Sequence, residues 1–360
     1  MLRARKWLGL CLAFSLNVSL ISNASLIDCC LLGFAPGCHD AGMAAASEPF
    51  KLSVPLGLKP LPDVKDNPPT EAKIALGTQL YFEPRLSDDN SVSCASCHDP
   101  HKGWSNADAT ATGVRGQRGG RSAPTVINSV YQHFQFWDGR AGSLEEQALG
   151  PIANPIEMNL PIDQAVARLA AIDGYAEQFQ QVFGRPVNAE DLGKALAAFE
   201  RTVLSGNAPF DRFKAGDKNA LSEQSQVGME LFFGKANCSS CHAGANFSDN
   251  GFHNLGVGID HEQPDVGRIA ISQLGGDHGA FKTPTLREIA RTAPYMHDGS
   301  LATLKDVVAY YNQGATPNDH LDEEIFPLNL TDEQQAALIA FLEEGLSSDD
   351  YPLVEPPKLP

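Results

Sequence analysis

Two pentapeptides offer chemistry that no other stretch of the chain does: Cys94-Ala95-Ser96-Cys97-His98 and Cys238-Ser239-Ser240-Cys241-His242. Both read C-x-x-C-H, the spacing of c-type haem attachment. The two thiols add to the vinyl groups of the porphyrin, and the imidazole that follows reaches the iron from one face. Paired C-x-x-C units also build four-cysteine zinc sites and thioredoxin-like redox centres. A zinc ribbon has no use for a histidine after both second cysteines, and no βαβ pattern surrounds either pair. The expectation is two covalently bound haem c groups, on Cys94, Cys97 and His98 and on Cys238, Cys241 and His242, with the histidines as proximal ligands.

The segments that must position these motifs repeat. Pro124-Thr125-Val126, Asp138-Gly139 and Ser143-Leu144 follow the first motif; Pro284-Thr285-Leu286, Asp298-Gly299 and Thr303-Leu304 follow the second. Proline to aspartate is 14 residues in both copies and aspartate to leucine is 6. Two related haem domains explain this economically. Apolar residues at three-to-four spacing predict helices over 72–81, 162–171, 192–204, 222–233, 304–311 and 332–342, several behind a Ser, Thr, Asp or Asn cap. No run of alternating strand pattern is convincing. The expected fold is mainly α: two cytochrome c-like haem domains with long loops and a pseudo-twofold internal repeat, at 47–210 and 211–360, with a linker near 205–220.

Function should lie where the copies differ. Thirteen residues after Asp138 stands Pro151, and thirteen after Asp298 stands Tyr311. Proline has no ligating atom, whereas a tyrosinate oxygen can coordinate haem iron. If both positions face their haems, the second iron is capped by His242 and Tyr311 and the first is left open. Met296 competes for the ligand role, since Met with His is the usual pairing in electron-transfer haems. Tyr310 is the adjacent alternative, and a tyrosine in a helix core is the plain reading of either.

Composition narrows the partners. Among 360 residues, Lys plus Arg total 27 against 44 Asp plus Glu, a formal charge of −17 with no basic block, which argues against nucleic acid. A small basic protein would be attracted. At the start of the chain Arg3, Arg5 and Lys6 precede an apolar run over 7–21, and Ala44-Ala45-Ala46 follows later, the pattern of an export signal over 1–46. The run is too short for a membrane span, so the mature chain is expected in the periplasm without one. Cys11, Cys29, Cys30 and Cys38 would leave with the leader, and the mature chain would keep the four motif cysteines.

Across 76–342 the chain resembles the bacterial diheme cytochrome c peroxidase family, including its MauG-like branch, which oxidises a protein substrate. The resemblance rests on Leu86-Ser87 and the run from Cys94 to Pro100, on Phe136-Trp137-Asp138-Gly139-Arg140-Ala141, on Leu144-Glu145-Glu146-Gln147-Ala148, on Asn154-Pro155-Ile156-Glu157-Met158 and on Ala293-Pro294-Tyr295-Met296-His297-Asp298-Gly299. It implies that His98 serves the peroxide-reacting haem and His242 the electron-transfer haem. Glu157 falls on the distal acid-base glutamate, Gln147 on the distal glutamine and Trp137 on the tryptophan between the haems. Tyr311 falls where the peroxidases carry a methionine ligand and MauG a tyrosine, which favours it over Met296. Val114 stands where peroxidases that need reductive activation carry a blocking histidine, implying an open first iron. A calcium ion between the haems is implied at Ser122, Thr292 and Pro294, with serine in place of the family's asparagine. Arg115, Arg121 and Arg140 are expected to pair with haem propionates or with aspartates.

The leading expectation is a periplasmic peroxidase that reduces hydrogen peroxide with electrons from a small cytochrome c or cupredoxin. The alternative is a MauG-like oxidase that modifies aromatic residues of a partner protein. A simple diheme electron carrier has no use for a vacant iron beside Glu157.

Overall fold

Side-chain caps start most of the helices. Thr70, Ser143, Asn188, Ser222, Thr303 and Thr331 each accept a backbone N–H from the first turn that follows, satisfying one of the donors a helix start leaves free. The computed structural model describes residues 51–360, so the expected leader and its four cysteines lie outside the described residues. In chain order the helices are α1 (Glu71–Tyr81), α2 (Cys94–Cys97), α3 (Leu144–Ala153), α4 (Ile162–Ala170), α5 (Asp173–Phe183), α6 (Ala189–Glu200), α7 (Pro209–Lys214), α8 (Glu223–Phe232), α9 (Ile269–Ser272), α10 (Leu304–Asn312) and α11 (Asp332–Ala340). The described fold is mainly helical, with one antiparallel pair, β1 (Phe252–Asn254) against β2 (Ala280–Lys282), in which His253 faces Phe281.

All six expected helices are present. α6 ends at Glu200 rather than 204, because the Thr202 hydroxyl turns back to the Phe199 carbonyl at 2.7 Å. The Asn128 amide then grips the backbone of Ser205 through both its oxygen and its nitrogen, at 2.9 and 2.8 Å. The helices α2, α3, α5, α7 and α9 lie outside those expectations. Gly150-Pro151 reads as a breaker, yet it sits in the last turns of α3, where the missing proline N–H costs a single bond.

Two apolar cores form. Leu76, Leu80 and Tyr81 of α1 pack with Trp104 and with Leu192, Leu196 and Phe199 of α6. Leu231 and Phe232 of α8 pack with Phe247, with Leu338 of α11 and with Phe341. In each core two helices cross at a glycine: a Cβ on Gly77 would lie 1.9 Å from the Ala195 carbonyl oxygen, and one on Gly228 would lie 1.9 Å from that of Ala337. Any side chain there would force the helices apart.

The expected linker is an ordered crossing. α7 lies within it, and Asp211 meets the Arg287 guanidinium through two bonds of 2.5 and 2.9 Å, both side chains almost fully buried. The Ser205 hydroxyl donates to Glu288 Oε1 at 2.6 Å. After α11 the tail returns to the first core: Trp104 Nε1 donates to the Pro352 carbonyl at 2.8 Å and the Tyr351 hydroxyl to that of Pro100 at 2.5 Å. Among the described residues no helix is long and apolar enough to cross a membrane.

Candidate functional site

The first motif is wound into one helical turn, so its cysteines, three apart, share a face. Ser93 N–H donates to Ser96 Oγ at its start, and His98 N–H closes on the Cys94 carbonyl at 2.9 Å. Cys94, Cys97 and His98 line a cavity of about 540 Å³ together with Trp137, Arg140, Gln147, Pro151 and Glu157. Burial pushes the Cys97 thiol up to about 11 and Cys94 further, and lowers the His98 imidazole, so thiols and ring are neutral at pH 7. His98 Nδ1 is buried without a hydrogen-bond partner. Two neutral thiols and a neutral buried imidazole on one cavity wall are the donor set haem c requires, and they fit it.

Gln147 and Pro151 are four residues apart on α3, and each reaches the cavity. Glu157 follows in the turn beyond. Asn154 Nδ2 donates to its Oε1 at 2.7 Å, leaving Oε2 without a protein partner among the described residues. Burial raises the Glu157 pKa, against the opposing pull of Arg140 and of the Asn154 bond. The loop carrying Val114 straps this turn: Val114 N–H donates to the Glu157 carbonyl at 2.8 Å. A Cβ on Gly113 would lie 2.0 Å from the Ile156 carbonyl oxygen. Val114 is fully buried and is not among the residues lining the cavity. The arginines go to aspartates: Arg121 to Asp138 and Asp265 at 2.7 and 2.6 Å, Arg140 to Asp138 at 3.0 Å, and Arg115 to Asp88.

The second motif begins in a 3₁₀ turn, and His242 N–H again closes on the Cys238 carbonyl at 2.9 Å. Its Nδ1 meets the Phe247 carbonyl at 2.9 Å, which leaves Nε2 as the free ring nitrogen. Cys238, Cys241 and His242 line a cavity of about 180 Å³ that also holds Met296 and Tyr311. Tyr310 instead donates its hydroxyl to the Leu255 carbonyl at 2.8 Å, so of the two tyrosines Tyr311 faces the cavity. Burial, and then the motif thiols, push the Tyr311 phenol up. Cys241, Asp249 and His253 place ligand atoms within 4.8 Å of one another. Of these, the His253 imidazole is held by Asp249 and Asp322 at 2.9 and 2.6 Å.

Trp137, Lys282 and Pro284 line both cavities. Trp137 Nε1 donates to the Ser122 carbonyl at 3.0 Å, and Lys282 N–H donates to the Trp137 carbonyl at 2.8 Å. Ser122 N–H in turn donates to the His297 carbonyl at 2.7 Å, and its hydroxyl donates to that of Met296 at 3.0 Å. The Trp137 and His297 rings are 6.5 Å apart, and His297 stacks on Phe281 at 3.6 Å. Thr292 donates its hydroxyl to the Ile289 carbonyl at 3.1 Å, and Pro294 follows two residues later.

Sequence reasoning missed two cavity residues, Lys282 and Glu200. Glu200 is 7% exposed in the first cavity, and burial pushes its carboxyl up to about 8. It stands four residues after Leu196, on the apolar face of α6, which was a readable signal.

Residues 71–219 match the family model described as di-haem cytochrome c peroxidase, and residues 226–345 match that of cytochrome c. The chain is similar to the methylamine utilization protein MauG of Methylorubrum extorquens, 42% identical over 79% of this chain and 80% of that one. It is also similar to the cytochrome-c peroxidase IdrP1 of Denitromonas iodatirespirans, 38% identical over 91% of this chain and 95% of that one. Among solved structures, the crystal structure of a MauG-like protein associated with microbial copper homeostasis superposes with a TM-score of 0.78 and 31% identity, over 86% of this chain and 99% of that one.

Proposed function

The chain belongs to the di-haem cytochrome c peroxidase family, and on that premise we propose that it is a periplasmic enzyme reducing hydrogen peroxide to water with electrons from a small redox protein such as a cytochrome c or cupredoxin. It is an oxidoreductase with two covalently bound haem c groups. The observation that carries the proposal is Glu157, a desolvated carboxyl lining the cavity of the first attachment motif, where the residue matching Tyr311 is a proline.

Bound haem would supply the redox-active iron at which peroxide is reduced, with the two electrons coming from the small redox protein. Around it the side chains divide the work. Cys94, Cys97 and His98 would hold one haem, and Cys238, Cys241 and His242 the other. Glu157 Oε2 takes a proton from one peroxide oxygen and returns it to the leaving one, while Asn154 holds Oε1. A carboxyl with its pKa raised toward neutrality is suited to both halves of that exchange. Gln147 orients peroxide or water, and Pro151 presents no competing donor. Tyr311 closes the second site in preference to Met296. Trp137, shared by both cavities, carries electrons between them.

The proposal includes two related haem domains, at 47–210 and 211–360, about a pseudo-twofold axis near Trp137. In support, Ser122 and Lys282, each two residues before the repeat's proline, donate to the carbonyls of His297 and Trp137, themselves thirteen residues after it. The glycine crossings are alike in their contacts, Gly77 against the Ala195 carbonyl and Phe199 Cβ and Gly228 against the Ala337 carbonyl and Phe341 Cβ, although their offsets from the haem motifs differ. It also includes export on the 1–46 leader, and a calcium ion held by the Thr292 and Pro294 carbonyls beside Ser122.

Tyr311 supports a second reading, oxidation of aromatic residues on a partner protein as in the MauG-like branch, because an oxygen ligand favours the oxidised iron. Steady-state peroxide consumption with reduced cytochrome c separates the two: sustained turnover supports the peroxidase. Negligible turnover, with a lasting peroxide-oxidised diheme spectrum, transfers the assignment to the second. Tyr311→Phe is expected to change the ferric coordination spectrum of the second haem; an unaltered spectrum returns the ligand role to Met296.

A further inference from the structure

Lys282 is a buried cation without a counter-ion. It is 5% exposed, and Nζ makes one hydrogen bond, to the Gln132 amide oxygen at 2.8 Å. An ammonium has three donors, so two are left without protein partners among the described residues. An ionised group buried in this way is costly unless an anion meets it. The other cations lining these cavities have theirs: Arg121 and Arg140 sit on Asp138 and Asp265, and His253 lies between Asp249 and Asp322. With no carboxylate at hand, burial lowers the Lys282 amine to about 8. The side chain lines both cavities, and the matching position in the first copy is the neutral Ser122. The missing partner is therefore an anion that arrives with a cofactor, and the carboxylates that haem brings are its propionates.

We propose that Lys282 Nζ binds a haem propionate carboxylate where the two cavities meet and, through its own backbone N–H on the Trp137 carbonyl, ties that carboxylate to the indole shared by both. Lys282 is thus a positioning residue for electron transfer between the haems. The inference rests on the presence of two haems and is independent of whether peroxide or a partner protein is the substrate.

The test uses the full-length diheme protein and the variants Lys282→Met, Lys282→Gln and Lys282→Arg, with haem content checked by pyridine haemochrome and each haem's reduction potential read by spectroelectrochemical titration. Attachment runs through the cysteines, so each variant keeps two haems. Removing a positive charge favours ferric iron: Lys282→Met and Lys282→Gln are expected to lower the potential of one or both haems by about tenfold in the equilibrium constant, about 59 mV for one electron. Lys282→Arg is expected to stay within twofold of the parent. The haem that shifts is the one whose propionate Lys282 holds. Potentials within twofold of the parent in the Met or Gln variant overturn the proposal. So does an equal shift in Gln and Arg, which would trace the effect to packing rather than charge. If Lys282→Met fails to fold, the Gln and Arg pair still decides.

Discussion

Glu157→Gln is expected to keep both haems attached and to lower peroxide turnover by about 10²–10⁴-fold, the usual contribution of a positioned acid-base group. Glutamine preserves the bond from Asn154 to the retained oxygen but cannot take up and return a proton. The parent enzyme's pH profile carries the same information. Burial raises the Glu157 pKa, so the carboxylate needed as base is present above that raised value and is lost as pH falls through it. The acid limb of kcat/KM should therefore lie above the ordinary carboxyl range and should vanish in the variant. Unchanged turnover in Glu157→Gln, with haem content intact, would take the role away from this residue.

The second large effect concerns stability. Arg287→Met is expected to cost roughly 3–5 kcal/mol in urea unfolding of the diheme protein, because it strands the buried Asp211 carboxylate. Arg287 also donates to the Ala245 carbonyl through Nε and Nη2, at 3.0 and 2.7 Å. One side chain thus fastens α7 to the loop after the second haem motif. A loss below about 1 kcal/mol would show that the carboxylate finds water or another partner.

Much of this architecture could be read locally. The caps at Thr70, Ser222, Thr303 and Thr331 and the periodicity behind them mark α1, α8, α10 and α11, since both signals lie within a few residues of the helix they start. Where local signals conflict, tertiary packing wins: α3 keeps Pro151 because Leu144, Ala148 and Ile152 bury its other face. Glu157 and Trp137 came from a family resemblance, and nothing in their own spacing singles them out. The pairs that hold the crossing together, Asp211 with Arg287 and Ser205 with Glu288, are separated by 76 and 83 residues and follow no periodicity. Lys282 was hidden for a different reason. A lysine in a short strand looks like a solvated edge, and only the meeting of two cavities shows it to be enclosed.

The returning tail makes the first core wait for the last residues of the chain. Trp104 and Pro100 receive their partners from Pro352 and Tyr351, residues made roughly 250 positions after the first haem motif, on the order of ten seconds or more at about 5–20 residues per second. Until then the N-terminal core lacks its last wall, and the other core is completed only a few residues earlier, since Phe341, Leu342 and Leu346 belong to it. Neither attachment peptide is therefore walled in until the last turns of the chain are in place, which leaves both open to the machinery that joins cofactor to thiol.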